Sequence, residues 1–332
     1  MESAYKGEGA DTFQVLGSAP LCEASASIVL DGPSARVLVA DNEYAKALFF
    51  FAINTDDEAT LSDMRLIALP KPRLQDIESM ALRGDELYLV GSHSRNKQGE
   101  LKAKRMRLHR YLLRGEGSEL SLGEELRVLD SSLAWEEQLA DVPSCLERFF
   151  VGAAERSAEE VEICEALVDA QVNASNPRGI DIEGAAFVGE RLWLGFRAPT
   201  VAGSSLLMRV LEESLETPSD ALGLRFDAAV LVASEGQLGR GVRELQLRGA
   251  LLLVVVGPEA DGDEGHALLA VDSDALQPGA RLVGRELAQL PEGSEAVVPV
   301  EGGVVALMDG AKGKTEAQCK KAAGQHFVSL TD

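Results

Sequence analysis

The sequence predicts an all-β fold, a β-propeller, in which four-stranded blades surround a central channel. Two observations predict it. A hairpin pattern returns along the chain, and further short apolar strands follow several copies, which gives four strands per unit of roughly 50 residues. The longest apolar runs, Ala47–Ile53 and Ala250–Val256, have the length of one strand. A β-sandwich or barrel with chance internal similarity is the alternative.

Each copy of the hairpin begins with a polar residue, continues as a short apolar strand, turns at glycine or acidic residues and returns on a second apolar strand. The starting residues follow one another at roughly 50 to 60 residues, with one interval about twice as long between the second and third. They are Glu23, Glu78, Glu183, Arg243 and Glu295. This count favours five blades, with six as the alternative.

The long interval contains a predicted helical insertion at residues 131–175. Ser144-x-x-Glu147 and Ser157-x-x-Glu160 are capping-box patterns, and Leu139, Val142, Leu146 and Phe149 recur at helical spacing. We therefore expect a single domain over residues 1–332, interrupted by helices that could cover the channel mouth.

Ring closure is expected from the two ends of the chain. The last copy lacks a strand after Phe327–Leu330, and Thr12–Leu16 precedes the first copy. Pairing the two segments would complete the last blade and remove an exposed sheet edge.

Charge and cysteine content narrow the function classes. The chain has 54 acidic and 32 basic residues, a net charge of −22, which disfavours nucleic-acid and membrane-surface partners. No secretion signal is recognisable at the start. Cys22, Cys145, Cys164 and Cys319 form no Cys-x-x-Cys pair, so we expect buried free thiols in the cytoplasm, with a Cys145–Cys164 bridge as the other possibility.

Hairpin geometry brings the starting residues of all copies to one end of the blades. The first strand of each blade lines the channel, so these residues should ring one mouth, together with residues at the end of each second strand. The latter include His93, Arg95, Arg197 and Asp309. Such charges must pair, hydrate or bind a ligand.

Three interpretations of this ring stay open. In the first, the protein is a metal-assisted hydrolase of an ester or phosphoester. Its Ca²⁺ would be held by the carboxylates of Glu23, Glu78, Glu183, Glu295 and Asp309. His93, Glu78 and Glu183 would be the acid–base groups, and Arg95, Arg197 and Arg243 would hold a small anionic substrate. In the second, the arginines bind an anion without chemistry. In the third, the ring only fixes the blades, and there is no ligand.

Several segments resemble a bacterial family known as domain of unknown function 3616, which is similar to phytase-like and esterase-like propellers. The resemblance covers roughly residues 20–310, and one departure is Ser79 where the next copy has Gly184. The segments are Asp76-Ile77-Glu78, Gly91–Arg95, Asp181–Gly184, Gly195–Pro199 and Gly239–Glu244. The resemblance implies a propeller and no particular activity.

Overall fold

A computed structural model gives the fold over most of the chain. It describes residues 14–18, 21–30, 36–42, 44, 46–54, 60–71, 74–96, 98–151, 157–172, 179–216, 223–234, 239–259, 265–308 and 324–330. In this part of the chain, no helix is both long and apolar enough to cross a membrane.

The described strands form three four-stranded sheets and one eight-stranded sheet, in which a parallel pair of strands joins two four-stranded units; we call these five units blades 1 to 5. Neighbouring strands within each blade pair antiparallel, as consecutive hairpins do. Blade 1 contains β2 (Ala24–Leu30), β3 (Arg36–Asp41), β4 (Ala47–Asn54) and β5 (Thr60–Ala68). Blade 2 contains β6 (Ile77–Arg83), β7 (Glu86–Gly91), β8 (Arg107–Arg114) and β9 (Ser121–Asp130).

The other three blades repeat this order. Blade 3 contains β10 (Asp181–Val188), β11 (Arg191–Val201), β12 (Ser204–Val210) and β13 (Phe226–Ser234). Blade 4 contains β14 (Arg240–Arg248), β15 (Leu251–Pro258), β16 (Ala267–Asp272) and β17 (Arg281–Gln289). Blade 5 contains β18 (Ser294–Val300), β19 (Gly303–Met308), β20 (Gly324–Ser329) and, as its outer strand, β1 (Gln14–Ser18).

The blades form a closed ring. Their first strands contact one another in the order β2, β6, β10, β14, β18 and back to β2, so they surround the central channel. The ends of the chain close the ring because β1 pairs antiparallel with β20, Gln14 opposite Phe327. The predicted propeller fold and its closure by the N-terminal segment are confirmed.

Apolar side chains hold neighbouring blades together. Strand β15 shows how: Leu252, Val254 and Val256 pack into the cluster between blades 3 and 4, and Leu253 and Val255 pack into the cluster between blades 4 and 5. Successive side chains of a strand point to opposite faces, so a strand covered on both faces reads as the continuous apolar run seen in the sequence.

Every first strand carries a β-bulge near its start, and this bulge positions the candidate site. Opposite the second strand of the blade, one residue of each first strand has no pairing partner. These residues are Ser25, Glu78, Glu183, Arg243 and Glu295. Bulges turn side chains out of the regular pleat, so each blade contributes one polar group at the same level of the channel.

Helices occupy the connection between blades 2 and 3, as predicted. They are α1 (Ser132–Gln138), α2 (Val142–Ser144), a π-helical turn (Cys145–Phe149) and α3 (Ala158–Val172). A further short helix, α4 (Glu212–Glu216), follows β12. The insertion packs on blades 2 and 3 through Trp135, Phe149 and Leu167, which belong to the same apolar cluster as Phe196.

The expected free thiols are wrong. Cys145 and Cys164 form a disulfide that ties the π-helical turn to α3, and Cys22 is disulfide-bonded as well. The two sulfurs meet because the π-helical turn packs against α3. The spacing of the two cysteines along the sequence does not show this contact. The thiol argument for a cytoplasmic location is therefore lost, and the location itself stays a prediction.

Removing the Cys145–Cys164 disulfide should destabilise the insertion. The bond closes a loop with a sequence separation of 19, for which loop-closure entropy gives about 3 kcal/mol. We expect the double variant Cys145→Ala, Cys164→Ala to lose about this much free energy of unfolding in urea. Trp135, which lies against Phe149 in the insertion, reports the transition by fluorescence. Equal unfolding midpoints for oxidised wild type and variant would contradict this role.

Candidate functional site

One half of the channel mouth is an ion-pair cluster, which we call the clamp: Glu183, Arg197, Arg243 and Glu295. Arg197 Nη1 donates to Glu183 Oε1 at 2.8 Å. Arg243 Nη1 lies 3.3 Å from Glu183 Oε2 and 2.9 Å from Glu295 Oε1, and Arg243 Nη2 donates to the carbonyl of Pro258 at 3.0 Å. One guanidinium thus joins the first strands of blades 3, 4 and 5.

Three of the four clamp side chains are almost fully buried. The side chains of Glu183, Arg197 and Arg243 are 5%, 6% and 3% exposed. Neighbouring carboxylates raise the pKa of Arg197 above its ordinary value although burial opposes the shift. Charges so far from water must keep their partners, because an unpaired buried ion costs several kcal/mol.

The other half of the mouth is acidic, and Glu78 is at its centre. Burial raises the pKa of Glu78 well above its ordinary value, and the nearby carboxylates of Asp76, Glu183 and Asp181 raise it further. The side chain of Asn42 donates a hydrogen bond of 2.5 Å to Glu78 Oε1, which acts in the opposite direction. Glu78 therefore keeps its proton to a higher pH than an ordinary glutamate.

Asp76 is held in place by blade 2 itself. It adopts a left-handed backbone conformation with φ of 57°, and its Oδ2 accepts from Ser92 Oγ at 2.6 Å and from Arg105 Nη1 at 2.9 Å. We call Asp76, Glu78 and Asp181 the acidic cluster.

Deeper in the channel, Glu244 links blades 1, 4 and 5. Its Oε1 accepts from the backbone N–H and the hydroxyl of Ser27, at 2.7 and 2.8 Å, and from Gln246 Nε2 at 3.1 Å. Its Oε2 accepts from the backbone N–H of Val297. Burial raises the pKa of Glu244 to about 8 against the effect of these hydrogen bonds.

The structure brings together only part of the predicted ring. Glu78, Glu183, Arg197, Arg243 and Glu295 lie together as expected. Glu23 does not occupy the equivalent position in blade 1, because the bulge residue there is Ser25, which donates to the carbonyl of Ile77 at 2.6 Å. Asp309 lies outside the described residues.

His93 and Arg95 contact the insertion. His93 is buried, its Nδ1 lies 2.8 Å from the carbonyl oxygen of Gly91, and its ring packs edge-on against Trp135 at 4.4 Å. Burial lowers its pKa to about 4. Arg95 donates to the carbonyls of Gly99 and Gln171 and so fixes the end of α3. In these positions, both residues serve the packing of the insertion.

The predicted Ca²⁺ site stays a prediction. The described residues contain no group of three or more His, Cys, Asp or Glu side chains arranged to hold a metal ion. Two of the expected ligands, Glu183 and Glu295, are bound by Arg243. A cation there would have to displace this guanidinium.

Sequence reasoning missed two groups that the structure places at this end of the channel. Glu244 directly follows the bulge residue Arg243, and a bulge, which hairpin counting does not show, changes the faces to which successive side chains point. His266 precedes β16, and its distance along the sequence from other polar residues is not typical of a metal or acid–base site. In the fold it lies beside Arg243.

Residues 165–293 match the model of the family described as "Protein of unknown function (DUF3616)". The resemblance to this family is confirmed. The match includes the whole of blades 3 and 4, hence Glu183, Arg197 and Arg243, and it names no activity. No curated protein matches the sequence.

Among solved structures, the chain is similar to the Myxococcus xanthus glutaminyl cyclase, with 11% identity, a TM-score of 0.42, and coverage of 97% of this chain and 98% of that one. It is also similar to the β-xylosidase RS223, with 9% identity, a TM-score of 0.47, and coverage of 96% and 94%. The xylan β-1,4-xylosidase of Bacillus halodurans gives 9% identity, a TM-score of 0.44, and coverage of 95% and 54%. At such values neither activity nor site residues carry over.

Replacing Arg243, the central residue of the clamp, should destabilise the fold strongly. Arg243→Met leaves Glu183 buried with one guanidinium fewer and removes the cation next to Glu295, so we expect a loss of about 3 to 5 kcal/mol in the free energy of unfolding. Arg191→Met is the matched control, because Arg191 pairs with Glu212 at 2.7 Å on the surface of blade 3. There the loss should be about 1 kcal/mol or less. Similar losses in the two variants would show that the clamp does not hold the blades.

Glu244 should make stability depend on pH in a defined direction. Its pKa is raised in the folded state, so its contribution is complete below the ordinary glutamate pKa and is lost as the pH rises to about 8. The free energy of unfolding of wild type relative to Glu244→Gln should therefore fall by a few kcal/mol between pH 5 and 8. A difference that does not change with pH would mean that Glu244 is ionised in the folded protein.

Proposed function

We propose that the protein is a hydrolase whose reaction takes place at the acidic half of the channel mouth, with Glu78 as the proton donor. The observation that carries the proposal is the raised pKa of Glu78 next to Asp76, Asp181 and Glu183. Carboxyl groups that differ in proton affinity within one site provide an acid and a base for hydrolysis.

The arrangement supports a division of roles. Glu78 gives its proton to the departing oxygen of the substrate as the scissile bond breaks. Glu183, whose orientation Arg197 and Arg243 fix, accepts a proton from the attacking water. The attacking water supplies the hydroxyl group of one product. The proton that Glu183 receives from this water then returns to Glu78, which restores both groups.

The charge of the site favours a substrate with little negative charge at the scissile bond. Arg197 and Arg243 donate to Glu183 and Glu295, so carboxylates of the protein already balance their charges. A neutral ester or glycosidic bond meets less repulsion there than a phosphoester.

A non-catalytic propeller is the second candidate. It is favoured by the clamp itself, because Glu183, Arg243 and Glu295 bind one another across three blades and need no ligand. In that case Glu78 would be one more buried polar group, joined to blade 1 through Asn42.

Replacing Glu78 by glutamine separates the two candidates. A protonated glutamate and a glutamine have similar shape, and the Gln oxygen can still accept from Asn42, so Glu78→Gln should fold like wild type. We expect hydrolysis of chromogenic aryl esters and aryl glycosides by wild type, and a loss of about 10²-fold or more in kcat for the variant. The alkaline limb of the wild-type pH profile should lie well above the ordinary glutamate pKa.

Asp85→Asn is the matched control, since Asp85 is an exposed carboxylate in the turn of the same hairpin. It should keep wild-type activity. If wild type turns over none of these substrates, with or without added Ca²⁺, or if Glu78→Gln keeps full activity, the proposal is wrong. Activity that disappears with EDTA and returns with Ca²⁺ would instead support the metal-assisted mechanism.

A further inference from the structure

A second group of polar side chains lies at the mouth side of blade 4. Arg240 and Arg243 come from the start of β14, Gly257 from the end of β15, and His266 directly precedes β16. Because these strands are antiparallel neighbours, all four residues meet at the same end of the blade. Of these residues, Arg243 also belongs to the clamp, where its Nη1 binds Glu295 and its Nη2 donates to the carbonyl of Pro258.

Several nitrogen atoms in this group are buried without an acceptor. Arg240, Arg243 and His266 are 7%, 3% and 2% exposed. Arg240 Nη1, Arg243 Nε and both ring nitrogens of His266 have no hydrogen-bond partner within the described structure. Leaving a buried donor unsatisfied costs about 1 to 3 kcal/mol, so several in one place indicate an acceptor that belongs to another molecule.

Two glycines show how close these nitrogens are to one another. A Cβ built on Gly257 would lie 2.8 Å from His266 Nε2 and 3.1 Å from Arg243 Nε, so both atoms face the same point. A Cβ built on Gly265, the neighbour of His266, would lie 2.7 Å from Arg240 Nη2. Only glycine fits at these two positions, because a Cβ would collide with the His266 ring or the Arg240 guanidinium, so these groups converge closely.

The electrostatics favour a negative ligand. Burial lowers the pKa of His266 to about 4, and the nearby guanidinium groups of Arg243, Arg240 and Arg197 act in the same direction. Arg243 is balanced by the clamp carboxylates. Arg240 forms no salt bridge within the described structure, and Glu286 is the carboxylate whose charge acts on it. One buried guanidinium is therefore left without a direct salt bridge in the described part of the chain, with the charge of Glu286 acting on it from further away.

We propose that Arg240, Arg243 and His266 form a binding site for a small oxyanion, a carboxylate or phosphate group. Such a group offers several acceptor atoms to donors that converge from different strands, and its charge balances Arg240. The neutral ring of His266 donates from one nitrogen. The site does not depend on hydrolysis, since an anion would bind here in a scaffold protein as well.

Anion-dependent stabilisation of the full chain tests this site. Melting temperature is measured at constant ionic strength with sodium phosphate, sodium acetate or sodium phenyl phosphate replacing sodium chloride. A ligand that binds only the folded state raises the melting temperature as its concentration rises above Kd. We expect such a rise for at least one oxyanion. A rise with phenyl phosphate alone would identify the anion as a group carried by a larger ligand, and equal rises would identify a free ion.

Variants localise the effect. Arg240→Gln and His266→Leu should each weaken the affinity about tenfold or more, measured by titration calorimetry with the same anions. Arg248→Gln should leave it unchanged, because Arg248 is exposed at the far end of the same strand. Arg240→Lys, which keeps the charge, should bind with intermediate affinity and serves if Arg240→Gln does not fold. No binding to wild type, or unchanged affinity in the Arg240 and His266 variants, would overturn the proposal.

Discussion

The buried guanidinium of Arg243 is the interaction on which the channel mouth depends. A ring of blades brings the bulges of its first strands to one level, and side chains of equal charge at that level would repel one another across a narrow, poorly hydrated space. Three of the five bulge residues are glutamates. Arg243 resolves this for blades 3 to 5 by binding Glu183 and Glu295 at once, and Arg197 completes the balance.

The same arrangement makes the mouth asymmetric. Neutralisation is concentrated on blades 3 to 5, whereas Asp76, Glu78 and Asp181 lie towards blades 2 and 3 and shift the proton affinity of Glu78. A propeller can therefore use equivalent positions for two purposes: ion pairs that join blades on one side, and groups with altered proton affinity on the other.

The repeat was visible in the sequence because strands covered on both faces must be apolar throughout, and because glycine and acidic turns separate them. The insertion was visible for the same kind of reason, through capping boxes and helical spacing. The pairing register was not. A bulge adds one residue to a first strand, so Ile77 lies opposite Gly91 where simple hairpin counting places Glu78. The same uncertainty in register led to the prediction of Glu23, instead of Ser25, as the channel residue of blade 1.

Other errors came from contacts between distant segments. His93 looked like an acid–base group because of its polar neighbours, but Trp135 of the insertion covers it. The Cys145–Cys164 disulfide depends on how the π-helical turn meets α3. Arg240 and His266 are ordinary residues in the sequence, and only the fold shows that they meet. Since Arg243 would face an anion with its Nε while its Nη1 holds Glu183 and Glu295, the charge of a bound anion would weaken the attraction of this guanidinium for Glu183. An anion bound at blade 4 would then change the electrostatic potential at the acidic cluster. Arg243 is the side chain that links the two halves of the mouth in this way.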